Sequence, residues 1–166
     1  MAPRVAKLYQ SQVRESFGLE PGEPGCKKEN KGGGSKLMSK FLTNLSVELK
    51  EDSRVWIVTF PLIYASDLID QVLVPEGFET DFASVPRIPL IYSMWGDRAH
   101  REAVLHDYLF RSDSLPETSF DVANEVFLEA MAACDKSWLV RYPMYWGVCL
   151  GSHGCFHRHK VGDSIE

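Results

Sequence analysis

The chain has 166 residues, 45% of them hydrophobic and 25% charged, which fits one globular domain with a real core and excludes disorder over most of its length. The net charge of -5 offers no broad attraction for nucleic acid, and no run approaches the roughly 18 apolar residues of a membrane span. The charge is uneven: residues 1–37 hold seven Lys/Arg against four Asp/Glu, a net of +3, leaving -8 on the other 129 residues.

The opening MAPRVAKLYQ lacks the apolar core and small-residue cleavage site of a secretory signal. Cys26, Cys134, Cys149 and Cys155 form no CxxC pair, so a reduced, cytosolic state is the expectation. Residues 5–17 have the pattern of about three turns of weak helix. From Pro21 to Ser35 the Pro-Gly steps and the Gly-Gly-Gly-Ser run read as linker. Residues 1–37 are therefore expected to be an extension or arm, whose basic bias suits docking. A globular domain is expected over 38–150, and a loose polar tail over 151–166.

At Leu45 the pattern changes to period two. LSVELK alternates, SRVWIVTF is rich in β-branched and aromatic residues, and the intervening Glu-Asp-Ser is a turn signal, so the two runs predict a hairpin. PLIYA after Pro61 and QVLVPEGF predict further short strands, the last stopped at Pro75 and Gly77. Pro86 and Pro89 forbid regular pairing beyond. Asp97 then serves as N-cap of a helix to about Ser112. Thr118 with Asp121 resembles a capping box for a second helix to about Cys134. SWLVRYPMYWGVCL, residues 137–150, predicts a third, aromatic helix that Pro143 kinks or splits. Strands first and helices second is the pattern of an α+β domain: a small antiparallel sheet, hairpin or meander, against two or three C-terminal helices.

Three clusters carry candidate chemistry. On a helical wheel Ala99, Ala103, His106 and Phe110 share one apolar face, so His106 points into the core. Asp107 sits about 100° round, close to His100 at i−7 and Arg111 at i+4, and the latter would make an ordinary exposed ion pair. Phe120, Asn124, Phe127 and Met131 stripe the second helix. In a helical hairpin Asn124 would meet His106, either as a register-fixing core network or as the orienter of a general base or metal ligand. In GFETDFASVPR, residues 77–87, Thr80, Asp81 and Ser84 are polar groups on a loop. Asp81 would cap the local turn or supply the carboxylate that meets His106. In the tail, Cys149, His153, Cys155, His157 and His159 are soft donors acceptable to zinc, in a spacing that fits no standard finger.

VPEGFETDFASVPR, AVLHDYLFR and ANEVFLEAM, in this order before an aromatic helix, resemble an uncharacterised family of bacteriophages and prophages. That family is marked by Gly-Phe-x-Thr-Asp-x-Ala-Ser-Val-Pro and His-Asp-Tyr-Leu-Tyr motifs. The likeness covers about 38–150. Gly77, Phe78, Thr80, Asp81, Ala83, Ser84, Val85 and Pro86 fit the first motif, and His106, Asp107, Tyr108 and Leu109 the second. Phe110 replaces the more usual Tyr, and Asn124 stands where an Asp is expected. The helix pair also resembles that of secreted phospholipases A2, in which a His activates water and the adjacent Asp binds calcium. The disulfides and glycine-rich calcium loop of those enzymes are missing here.

Two functions follow as expectations. The phage likeness and the basic arm imply a virion or assembly component of tail, baseplate or capsid. It would be found in the virion, and in the host cytoplasm during assembly. It would dock on other phage proteins or on itself through residues 1–37, with nucleic acid an improbable partner for so acidic a body. The alternative is a small hydrolase acting on lipid or cell wall. His106, Asp81 and Asp107 would then be the catalytic groups and Thr80, Ser84 and Asn124 the binding groups, with the identity of any metal or other cofactor open.

Overall fold

The computed structural model describes residues 39–51, 54–82 and 99–165. The chain divides after Leu37. The expected arm, the Pro21–Ser35 linker, Ser84 and the Asp97 cap all lie outside the described residues.

The domain is α+β. Its strands are β1 (Lys40–Phe41), β2 (Ser46–Leu49), β3 (Trp56–Phe60), β4 (Leu62–Ser66), β5 (Asp70–Val74) and β6 (Glu79–Thr80). Its helices are α1 (His100–Leu109), α2 (Phe120–Ala133) and α3 (Trp138–Gly151). The expected β2–β3 hairpin forms, with Leu49 opposite Trp56. A single sheet does not. The strands make two antiparallel sheets, ordered β1-β4-β5 and β2-β3-β6. The reason lies at Pro61, the one residue between β3 and β4. It has no N–H to continue a ladder, so the chain leaves one sheet and enters the other. Thr43 fixes the corner: its hydroxyl donates to the Pro61 carbonyl at 2.9 Å and accepts from the Ile63 amide at 2.8 Å. β4, in the middle of its sheet, is buried at all five residues.

β5 turns into β6 through Pro75-Glu76-Gly77. Gly77 has φ +80° with open space around the position of a Cβ, so the backbone conformation, not crowding, calls for glycine there.

α1 packs against α2 and β5, and α2 in turn against α3, β1 and β4. Seven of the ten residues of α1 are buried, including Glu102 and His106, which is the signature of a helix enclosed on most sides rather than lying on a surface. α2 starts one residue later than the capping-box reading: Ser119, not Thr118, accepts from the Val122 amide. α3 runs continuously through Pro143, capped by Ser137. Its buried side, Val140, Met144 and Val148, joins Ala103, Phe127 and Met131 in one core cluster. A second joins Val58, Leu62, Tyr64, Val72 and Phe78 to Leu105, Leu109 and Val126. Among the described residues no helix is long and apolar enough to cross a membrane.

The tail differs from the loose segment expected. The amide of His157 donates to the Phe110 carbonyl at 2.8 Å and that of Ser112 to the His159 carbonyl at 2.9 Å. The Ile165 amide donates to Glu79 Oε2 at 2.9 Å. Phe156 packs on Phe110 and Phe120. The apolar Phe156, spaced among polar residues, is the anchor that the compositional reading overlooks.

Leu105→Ala should lower the unfolding free energy by about 3 kcal/mol, as expected for a buried leucine that cannot be refilled, whereas Leu68→Ala, half-exposed, should change it by less than about 0.5 kcal/mol. Urea denaturation of the two variants measures both.

Candidate functional site

His106 and Asp107 are adjacent, so a helix directs them about 100° apart. The structure gives each its own partner. His106 is fully buried, and its Nε2 lies 2.8 Å from Asn124 Oδ1 on α2. An amide oxygen only accepts, so Nε2 carries the proton. Phe110 and Phe127 pack on the imidazole with ring centroids at 4.1 and 4.9 Å. Burial outweighs the Asn124 hydrogen bond and lowers the pKa of His106 from 6.5 to about 4. The imidazole is therefore neutral at physiological pH. Of the two partners proposed from sequence, Asp81 and Asn124, it is Asn124 whose side chain meets Nε2. The Asn124 amide nitrogen is buried without a hydrogen-bond partner, an imperfection with a cost of about 1–3 kcal/mol.

Asp107 is half-buried on the side of α1 that faces β6. Thr80 Oγ1 donates to its Oδ2 at 2.5 Å, and the same hydroxyl accepts from the Phe82 amide at 3.1 Å. The exposed pair expected with Arg111 is replaced. Arg111 is 7% exposed and donates to the carbonyls of Glu79 at 3.2 Å and Lys160 at 3.4 Å. Its guanidinium lies over the Phe78 ring, and Phe78 meets Tyr108 edge-on at 5.7 Å. The two sequence motifs thus form one joint. Phe78, Glu79 and Thr80 on one side engage Tyr108, Arg111 and Asp107 on the other.

Asp81 and Phe82 follow, both half-buried. Phe82 holds φ +54°, a left-handed conformation unfavourable for a bulky residue. Its ring is held by Trp56 at 5.9 Å and His100 at 5.1 Å. The described part of the first motif therefore closes on a strained residue that follows the half-buried Asp81.

Sequence reasoning missed a second polar group, toward the start of α1. Glu102 is 2% exposed, with Lys136 Nζ 4.0 Å from its Oε1. Arg101 donates to Cys134 Sγ at 3.6 Å. Burial, then the Glu102 carboxylate, raises the Cys134 thiol to about 11. Next to it Tyr64 Oη donates to Glu129 Oε1 at 2.7 Å. Burial and Glu129 drive that phenol far above its ordinary range. These partners are up to 65 positions apart, and no local spacing reveals such pairs.

The tail donors point elsewhere than to a common metal. His153 stacks on Phe120 at 4.1 Å and His157 on Phe156 at 3.8 Å. Among the described residues no three His, Cys, Asp or Glu side chains are grouped to hold a metal ion.

Over residues 56–148 the chain matches the model of a family described as a protein of unknown function, DUF1353. That span is more than half of the chain, and the protein belongs to this family. It contains the whole joint between Phe78–Thr80 and Asp107–Arg111, together with Asn124. No curated protein and no solved structure matches the chain.

The buried imidazole makes stability depend on pH. Unfolded, His106 titrates near 6.5; folded, near 4. In between, the unfolded chain takes up a proton that the folded one excludes. This contribution is complete above pH 6.5 and is lost as the pH falls toward 4, by up to about 3 kcal/mol. Denaturant titrations at pH 7.5 and 4.5 should show the loss, and His106→Gln should remove that part of it. Thr80→Val, which keeps the shape but removes the donor to Asp107, should cost about 1–2 kcal/mol at pH 7.

Proposed function

We propose that the protein is a non-catalytic building block of a bacteriophage or prophage particle, seated in tail, baseplate or capsid and docked through residues 1–37 on neighbouring phage proteins. The observation that carries this reading is the burial of His106. A general base must reach the proton it removes. This imidazole is covered by Phe110 and Phe127, and its Nε2 is occupied by Asn124. The His-Asp motif then serves to hold β6, α1 and α2 together, a core-network role. The phage setting is supported by the likeness of the two motifs to a phage and prophage family. Docking is supported by the basic bias of the first 37 residues against a body of net -8.

One observation favours the second reading, a hydrolase of lipid or cell wall. Asp81 and Asp107, both half-buried, adjoin the same residue, Thr80. Such a pair of carboxylates has the chemistry to hold a divalent cation and polarise water. In that reading Asp81 and Asp107 act, and His106 braces α1 against α2 through Asn124.

The readings separate in particles of the encoding phage. With His106→Gln, particles should contain the chain at the wild-type level and keep full infectivity. Deletion of residues 1–37 should remove the chain from purified particles, measured by quantitative mass spectrometry. With Asp107→Asn, normal incorporation combined with loss of infectivity would select the hydrolase instead. Normal incorporation of the truncated chain would refute docking through the arm.

A further inference from the structure

α3 is apolar on both sides. Val140, Met144 and Val148 face the core. On the other side Trp138 (63% exposed), Leu139 (55%), Tyr142 (48%), Trp146 (60%) and Leu150 (83%) stand in solvent. At 100° per residue these five side chains fall within an arc of about 120°. Cys149 falls within the same arc and Pro143 at its edge. The only formal charge on the helix is Arg141, which the wheel puts well outside it. An amphipathic helix at a protein surface normally presents charged residues there. If each aromatic presents area on the scale such side chains bury in interfaces, the strip amounts to roughly 600 Å². A patch of that size is at the upper limit for a lone soluble protein.

We propose that this strip is an isologous dimer contact, in which α3 packs antiparallel on α3 of a second copy of the chain. Charge selects this occupant. The body from Met38 onward carries a net -8, so two copies repel unless they meet on a surface without charge, and the α3 strip is such a surface. An anionic lipid surface would repel the same body, and within its arc the strip carries no Lys or Arg of the kind by which interfacial helices hold to membranes. Area agrees. The strip is of the order of the roughly 800 Å² per partner of a stable interface. Position agrees too. Tyr142 and Trp146 straddle the middle of Trp138–Gly151, so a two-fold axis there sets the Tyr142 of each copy against the Trp146 of the other. Large aromatics at the centre of a contact are the residues that dominate binding. The contact is independent of the particle reading and of residues 1–37.

Sedimentation velocity of the full chain under reducing conditions, from 1 to 100 µM, tests it. The expected result is a concentration-dependent species of twice the 18.8 kDa monomer mass. Trp146→Glu should weaken association at least tenfold while thermal unfolding stays cooperative. Leu150→Lys, at the most exposed position of the strip, provides the same test should the first variant unfold. Leu49→Glu, exposed on β2, should dimerise like the wild type. The proposal is overturned if the wild-type chain is a monomer at 100 µM. It is equally overturned by a dimer that survives both α3 substitutions. A monomer that co-sediments with phosphatidylcholine vesicles would assign the strip to a membrane and overturn it as well.

Discussion

Two ionisable residues side by side on an enclosed helix cannot share one partner. The helix sends His106 and Asp107 in directions about 100° apart, and each must be satisfied where it points because a buried polar group without a partner is costly. The fold meets this constraint by placing α1 between two elements. β6 brings Thr80 to Asp107, and α2 brings Asn124 to His106. The dipeptide therefore fixes where a strand and a helix must lie relative to α1. The corner at Pro61, the Gly77 turn and the Arg111 contacts to Glu79 and Lys160 all serve to deliver these partners. The C-terminal tail closes the same region, with Ile165 on Glu79 and His157 on the Phe110 carbonyl.

The identity of residue 124 sets the charge of this joint. A carboxylate there would favour imidazolium and make a buried ion pair. An amide accepts one hydrogen bond and leaves the imidazole neutral, with its pKa near 4. Buried networks of this kind can fix the register of two helices at some expense in stability, and the unpartnered Asn124 nitrogen is part of that expense. Asp107 differs in being half-buried and held by the hydroxyl of Thr80, the residue before Asp81. Whatever chemistry the family performs, in this chain the accessible side of the motif is the aspartate.

The sequence carries the local features well. The strand runs after Leu45, the inward direction of His106 and the stripe that includes Asn124 all follow from periodicity, because residues a few positions apart decide them. The α+β class follows from element order. What the sequence hides is set at long range. Thr80 and Asp107 are 27 positions apart, so the nearby Arg111 looks the better partner on local geometry. Arg111 is in fact taken by backbone carbonyls of β6 and the tail. The division into two sheets depends on a single proline that also suits a simple strand start. Glu102 lies in α1, whereas Cys134 caps α2 and Lys136 follows it, so the three share no motif. The tail, polar by composition, is held by Phe156 and by backbone hydrogen bonds that composition does not register.

The central claim is that His106 is a neutral, sealed element of the core. NMR of ¹⁵N-histidine-labelled protein tests it most directly, through the imidazole nitrogen shifts of His106 followed from pH 7.5 down to the onset of acid unfolding. The account predicts a proton fixed on Nε2 and no titration of His106 above about pH 5. An imidazole at position 106 that titrates near 6.5 and exchanges rapidly with water would contradict it, and would return the residue to the list of possible catalysts.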